Sequence, residues 1–145
     1  MIRGSEGLAP ALADWCRSYV QAFESFDADA IGRHWSFPAL IFSSGRQITF
    51  TEASGFNRNT SQLIEFYKRQ NVSRVNRLID SVFQISAVTA AMRVNDQMYS
   101  GDNEFITGWS SGYVLKQDGV HWRAIWADAS GEVEAWAARG TPLGT

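Results

Sequence analysis

YVQAFESFDADAI at residues 19–31, followed closely by HWSFPALIF at residues 34–42, carries the change from helix to strand on which the fold depends. Upstream, Leu8, Leu12, Trp15, Tyr19, Phe23 and Phe26 recur at steps of three and four, so they share one face of a helix, with Pro10 tolerated in its first turn. Asp27 can cap a second short helix over residues 29–35, because its carboxylate accepts from the free amides of a first helical turn. Trp35 then closes that helix, and Pro38 disfavours helical geometry at Phe37. ALIFS and RQITF, on either side of Ser44-Gly45, read as the two strands of a short hairpin.

Thr51-Glu52 resembles a helix start, and Phe56, Leu63 and Tyr67 keep helical spacing to about Gln70. From Val75 the period changes. VNRLIDSVFQIS, VTAAMRVNDQMY, EFITGWSSGYVLKQ and VHWRAIWAD alternate or run apolar between turns at Ser86-Ala87, Ser100-Gly101-Asp102 and Asp118-Gly119, which predicts four long strands. The order ααββαββββ predicts an α+β cone, with helices packed on a strongly curved, mostly antiparallel sheet. The first helices and Trp35 would close its wide end.

A chain of 145 residues fits one domain. With 13% aromatic and only 19% charged residues it has ample apolar surface for a core, which argues against disorder. A net charge of -2 without a basic cluster gives no footprint for nucleic acid or an anionic membrane. Cys16 alone cannot make an internal disulfide, and two histidines, His34 and His121, make a zinc site improbable. Without ligand clusters or a glycine-rich phosphate loop, neither a metal nor another cofactor is expected. MIRGSEGLAP lacks the apolar segment of a signal peptide, and no stretch has membrane-spanning length, so a cytoplasmic protein is expected. Residues 1–7 and 139–145 read as frayed ends around the folded body.

The order of elements, with YVQAFESFDADAI before HWSFPALIF, FYKR at 66–69 and YVLKQDGVHWRAI at the last turn, resembles the nuclear transport factor 2-like superfamily. Within it the chain is most similar to the SnoaL-like and ketosteroid isomerase-like branch, over residues 8–131. The resemblance implies a cystatin-like cone, and homodimerisation through the outer sheet face. It also implies a tyrosine in the first helix, a carboxylate base at the end of the first short strand, and a protonated aspartate on the third long strand. Counted onto this chain without gaps, these positions are Tyr19, Ser43 and Ser111. An unactivated serine does not abstract a carbon-bound proton at neutral pH, so isomerase chemistry of that type is not expected.

If Ser111 faces inward, alternation places Phe105, Thr107, Trp109 and Tyr113 on the same face, and Trp122, Ala124, Trp126 and Asp128 on the last strand. Asp128 is then the carboxylate expected in the cavity. Buried among tryptophans it would suit a general acid or base, whereas at a strand end it would cap the turn at Ser130-Gly131. Tyr19 and Tyr67 could meet across the helices, with Tyr19 polarising a carbonyl, or both could be core residues with satisfied hydroxyls. His34 could shuttle protons at the mouth above Trp35, or sit at a helix end where the dipole favours its charge. His121 alternates to the outer face, and Asn95-Asp96-Gln97 reads as the exposed tip of a hairpin. Arg93 with Asp80 fails the Asp-Arg-Asp spacing of the superfamily's epoxide hydrolases, since Ala91 and Asn95 flank the arginine.

Two functions follow. In one, the cone binds a small, largely apolar molecule, lined by Trp35, Ser43, Tyr67, Trp109, Ser111 and Trp126, while Tyr19 polarises its carbonyl or hydroxyl and Asp128, with or without His34, moves a proton. The reaction would be an isomerisation, dehydration or cyclisation. In the other, the same fold is a non-catalytic binding or dimerisation module.

Overall fold

The computed structural model describes residues 5–143; the ends expected to fray at 1–4 and 144–145 lie outside the described residues. Ten elements follow in order: α1 Ser5–Glu24, α2 Ala28–Gly32, β1 Trp35–Ser43, β2 Arg46–Phe50, α3 Ala53–Arg69, β3 Val72–Gln84, β4 Thr89–Ser100, β5 Phe105–Asp118, β6 His121–Asp128 and α4 Ser130–Ala138. The predicted order is present, with one helix added at its end.

The apolar stripe of α1 is buried at Leu8, Leu12, Trp15 and Tyr19. The helix starts ahead of the expected point, which places Pro10 inside it rather than in its first turn. Phe26, at φ 54°, breaks the helix, and Asp27 caps α2 by accepting from the Ala30 amide at 3.0 Å. α2 stops at Gly32 instead of running to residue 35. A Cβ at Gly32 would lie 2.2 Å from Asn57 Oδ1, so α2 and α3 approach closely there and any larger residue would have to displace the Asn57 side chain. Trp35 is thereby released to β1, where it pairs with Ala124, and the Ala124 amide donates to the His34 carbonyl at 2.9 Å. Parallel pairing with β6 has captured the residue that local pattern assigned to a helix.

The six strands form one sheet in the order β2-β1-β6-β5-β4-β3, antiparallel throughout except for β1 beside β6. Register shifts within the β1–β6, β3–β4, β4–β5 and β5–β6 pairs supply the irregularities by which a sheet bends. The Glu24 carboxylate accepts from the Val75 amide at 2.9 Å and ties the end of α1 to the start of β3. Among the described residues, no helix is long and apolar enough to cross a membrane.

The core has two parts. One joins the α1 stripe to Ile31, Val94, Leu115 and Ala124. The other gathers Phe66, Tyr67, Met98 and Trp109 around Trp136, which is fully buried. Trp136 lies in α4, which docks on β5 so closely that a Cβ at Gly131 would meet the Ser110 carbonyl oxygen at 2.4 Å. Beyond α4 the chain stays attached rather than frayed: the Thr141 amide donates to the Trp136 carbonyl at 3.1 Å, Arg139 Nη1 donates to the Ile106 carbonyl at 3.0 Å, and Leu143 packs on the Trp136 cluster.

Candidate functional site

The helices and the concave face of the sheet enclose a cavity of about 870 Å³. Exposed Ser44 and Arg46 at the hairpin face Asn59 and Gln62 of α3 around its rim, while Tyr19, Trp35 and Tyr113 line its buried end. Four carboxylates line it, Glu65, Asp96, Asp128 and Glu132, and two of them, Asp96 and Glu132, are buried by the groups around them.

The first is Asp96, 3% exposed in the middle of β4. This corrects its assignment to an exposed hairpin tip, because the strand continues to Ser100 and turns after it. Arg77 of β3 grips it with two bonds: Nε to Oδ1 and Nη2 to Oδ2, each at 2.7 Å. Nη2 also donates to the Tyr113 hydroxyl at 2.9 Å, and the guanidinium lies 5.4 Å from the Tyr19 ring centroid and 5.0 Å from that of Tyr113. A buried charge held this way is compensated.

The second carboxylate is Glu132, in the first turn of α4, a residue the sequence pattern did not single out. Its Oε2 accepts from the Tyr67 hydroxyl in a short contact and from Trp136 Nε1 at 3.2 Å. No cation pairs with it among the described residues. Burial pushes its carboxyl up to about 7, against the pull of the Tyr67 and Trp136 hydrogen bonds, and the charge of Asp96 adds to the rise. The Tyr67 phenol is raised well above its ordinary value by burial and by Glu132, so it stays a donor.

Tyr19 is buried, stacked on Trp15 at 4.6 Å, and its hydroxyl accepts from Trp35 Nε1 at 3.0 Å. Burial, and then Tyr113, raise its phenol. Tyr19 and Tyr67 do not meet: Phe23 stands between them, its ring 5.2 Å from one and 5.9 Å from the other. Trp35, Ser43, Tyr67, Trp109 and Ser111 all line the cavity, as does Asp128 at its rim. Asp128 Oδ1 accepts from the Ser130 amide at 2.9 Å, which is turn capping at the strand end.

Trp126 stands elsewhere. The register of β5 against β6 shifts so that Leu115 pairs with Ala124 but Val114 with Trp126. The extra residue, Ile125, inverts the alternation, turning Trp126 outward and Ala127, opposite Tyr113, inward. Phe105 is likewise misplaced by strict alternation, since a shift after Met98 leaves it 60% exposed against Tyr99. His34 is also outside the cavity, in a separate groove with Trp122 and His121.

The family described as NTF2-like protein (DUF6841) matches residues 10–131. Among solved structures the chain is similar to an NTF-2 like protein of unknown function from Shewanella oneidensis, with 9% identity over 83% of this chain and 96% of that one, at a TM-score of 0.66. A ketosteroid isomerase-like protein from Erwinia carotovora atroseptica gives 14% identity, coverage of 82% and 92%, and a TM-score of 0.63. A domain of unknown function with a cystatin-like fold from Nostoc punctiforme gives 14% identity, coverage of 83% and 74%, and a TM-score of 0.67. At these identities the likeness is one of fold. No curated protein matches the chain.

Proposed function

This chain belongs to the NTF2-like family DUF6841, and from that premise we propose that its cone binds a small, largely apolar organic molecule and moves a proton on it with Glu132. The observation that carries this reading is a carboxyl in the cavity wall, paired with no cation among the described residues and raised to about 7. A base of that strength is part ionised and part protonated at neutral pH, so it can take a carbon-bound proton and return it.

The residues around it supply the rest. Tyr19 and Tyr113 each accept a hydrogen bond, from Trp35 and from Arg77, and each keeps its own hydroxyl proton to give. A carbonyl placed between them and Glu132 would lose an α-proton to the carboxylate while the electron pair moves onto its oxygen. With a β,γ-unsaturated ketone, return of the proton to the γ-carbon of the dienolate completes an isomerisation, and with a β-hydroxy ketone, loss of hydroxide from the enolate completes a dehydration. Glu132 takes the place in this scheme that the family resemblance gave to Ser43 and that alternation gave to Asp128.

Deuterium uptake from D₂O into a panel of cyclic ketones, followed by proton NMR, tests this. Exchange above the buffer rate, falling by about 10² to 10⁴ in Glu132→Gln, is expected. Binding without exchange would remove the catalytic half and leave the non-catalytic module, which Ser43 and Ser111 favour by standing where the isomerases carry carboxylates.

A homodimer through the outer sheet face belongs to the same reading. Phe83, Ala91, Val114, Trp126 and Leu40 stand in cross-strand register along one line of five strands, with Phe83 68% exposed. Light scattering after size exclusion should give twice the chain mass, reverting to one chain in Phe83→Glu.

A further inference from the structure

We propose that Ser18 and His34 form a second reactive site, a serine–histidine pair in a groove outside the cone, which takes an acyl group from small esters carrying an anionic group. The groove holds about 330 Å³ and shares no lining residue with the cavity. His34 Nδ1 lies 2.8 Å from the Ala30 carbonyl oxygen and Nε2 lies 2.7 Å from Ser18 Oγ. A carbonyl can only accept, so Nδ1 carries the proton and Nε2 presents its lone pair to the serine hydroxyl. This is the relation of base to nucleophile, with a backbone oxygen as the group that orients the base.

The ring is held on other sides too, edge-on to Trp15 at 5.8 Å and to Tyr19 at 5.4 Å. Ser18 is on the exposed face of α1 and open to a reagent. Burial lowers the His34 pKa, the bond to Ala30 opposes this, and the charges of Arg33 and Arg123 lower it further, so the ring is neutral at pH 7. The charged or titratable groups around the groove are Asp14 on α1, Arg33 after α2, and His121 and Arg123 on β6. The two arginines supply the attraction for an anionic group, and Trp122 and Val120 supply apolar surface for a short chain.

In the reaction, Ser18 Oγ attacks the ester carbonyl as Nε2 takes the hydroxyl proton. The carbon–oxygen bond to the leaving group then breaks, and the departing alkoxide takes that proton from His34. Water, giving its proton to the same nitrogen, can later release the acid. Ser18 lies in the middle of α1, where backbone amides are already bonded, so no amide pair cradles the oxyanion. That slows acylation and release alike, but an ester with a good leaving group acylates faster than the alkyl ester of Ser18 is hydrolysed, so the acyl-serine should accumulate.

The test is to treat the full chain with mono-4-nitrophenyl succinate, and with 4-nitrophenyl acetate for comparison, and to map the product by peptide mass. One acyl group on Ser18 is expected, faster from the succinate, absent in Ser18→Ala and slower by at least about 100-fold in His34→Gln. In the unmodified chain the rate should be level near neutral pH and fall in acid as His34 gains a proton. No acyl-Ser18, acylation only at another side chain, or a Ser18 rate that is unchanged in His34→Gln or shows no fall in acid would overturn the proposal.

Discussion

Asp96 and Glu132 share one cavity and are held in opposite ways. Asp96 is gripped by a guanidinium through both oxygens, while Glu132 is held through one oxygen by two neutral donors. The pair on β3 and β4 spends its charge on itself, whereas the carboxyl on α4 keeps a proton that is nearly free to leave at pH 7. Burial alone does not make a carboxylate reactive. What decides is whether a cation has been buried beside it.

The most forceful way to break the contrast is to remove that cation. Arg77→Met strands Asp96 in the interior and should cost about 3–5 kcal/mol, seen as a lower urea midpoint. Arg77→Met with Asp96→Leu should recover much of it.

The Glu132 side is sharpened by pH. Its carboxyl is raised from 4.5 to about 7 on folding, so the folded chain binds more protons than the unfolded chain across that window. Stability is therefore full below 4.5 and falls as pH rises to about 7, by roughly 3 kcal/mol. Glu132→Gln should flatten this slope and be the more stable protein at pH 8, while the two converge near pH 4.5. Urea unfolding at a series of pH values checks it.

Gly131→Ala drives a methyl group into the Ser110 carbonyl oxygen and should cost about 1–3 kcal/mol, with a parallel loss of any proton transfer as Glu132 is displaced. The smallest effect is expected from Tyr67→Phe. About 1 kcal/mol of hydrogen bonding is lost, and the Glu132 carboxyl rises above about 7, because the phenol favours the charged form. Carboxyl-carbon NMR reads that shift.

The sequence shows the elements better than the site. The α1 stripe and the six strands are legible because burial on one face writes a period into the residues. Trp126 and Phe105 are not, since register shifts change the phase without leaving a local mark. Asp96 was readable: it continues the alternation Met92, Val94, Asp96, Met98, all buried, but its polar neighbours Asn95 and Gln97 disguise a strand as a turn. Glu132 had no such signal. SGEVEAWAA has no single apolar face, and α4 is held by Trp136 with Ala135 beside it, by the Tyr67–Glu132 bond and by the contact at Gly131. The signal that could have found it is the spacing of Glu132 and Trp136, four apart, which joins a carboxylate to an indole on one side of a helix.

The parallel pairing of β1 with β6 sets an order in time. β3 to β6 can zip up as consecutive antiparallel neighbours, each a short loop from the last. β1 has to wait for a partner near the far end of the chain, closing a loop from Trp35 to Ala124. The hairpin that forms one side of the cavity rim is thus expected to join last, and in refolding the β1 amides should be protected from exchange after those of β4 and β5. The container is finished only when nearly every other part of it is already in place.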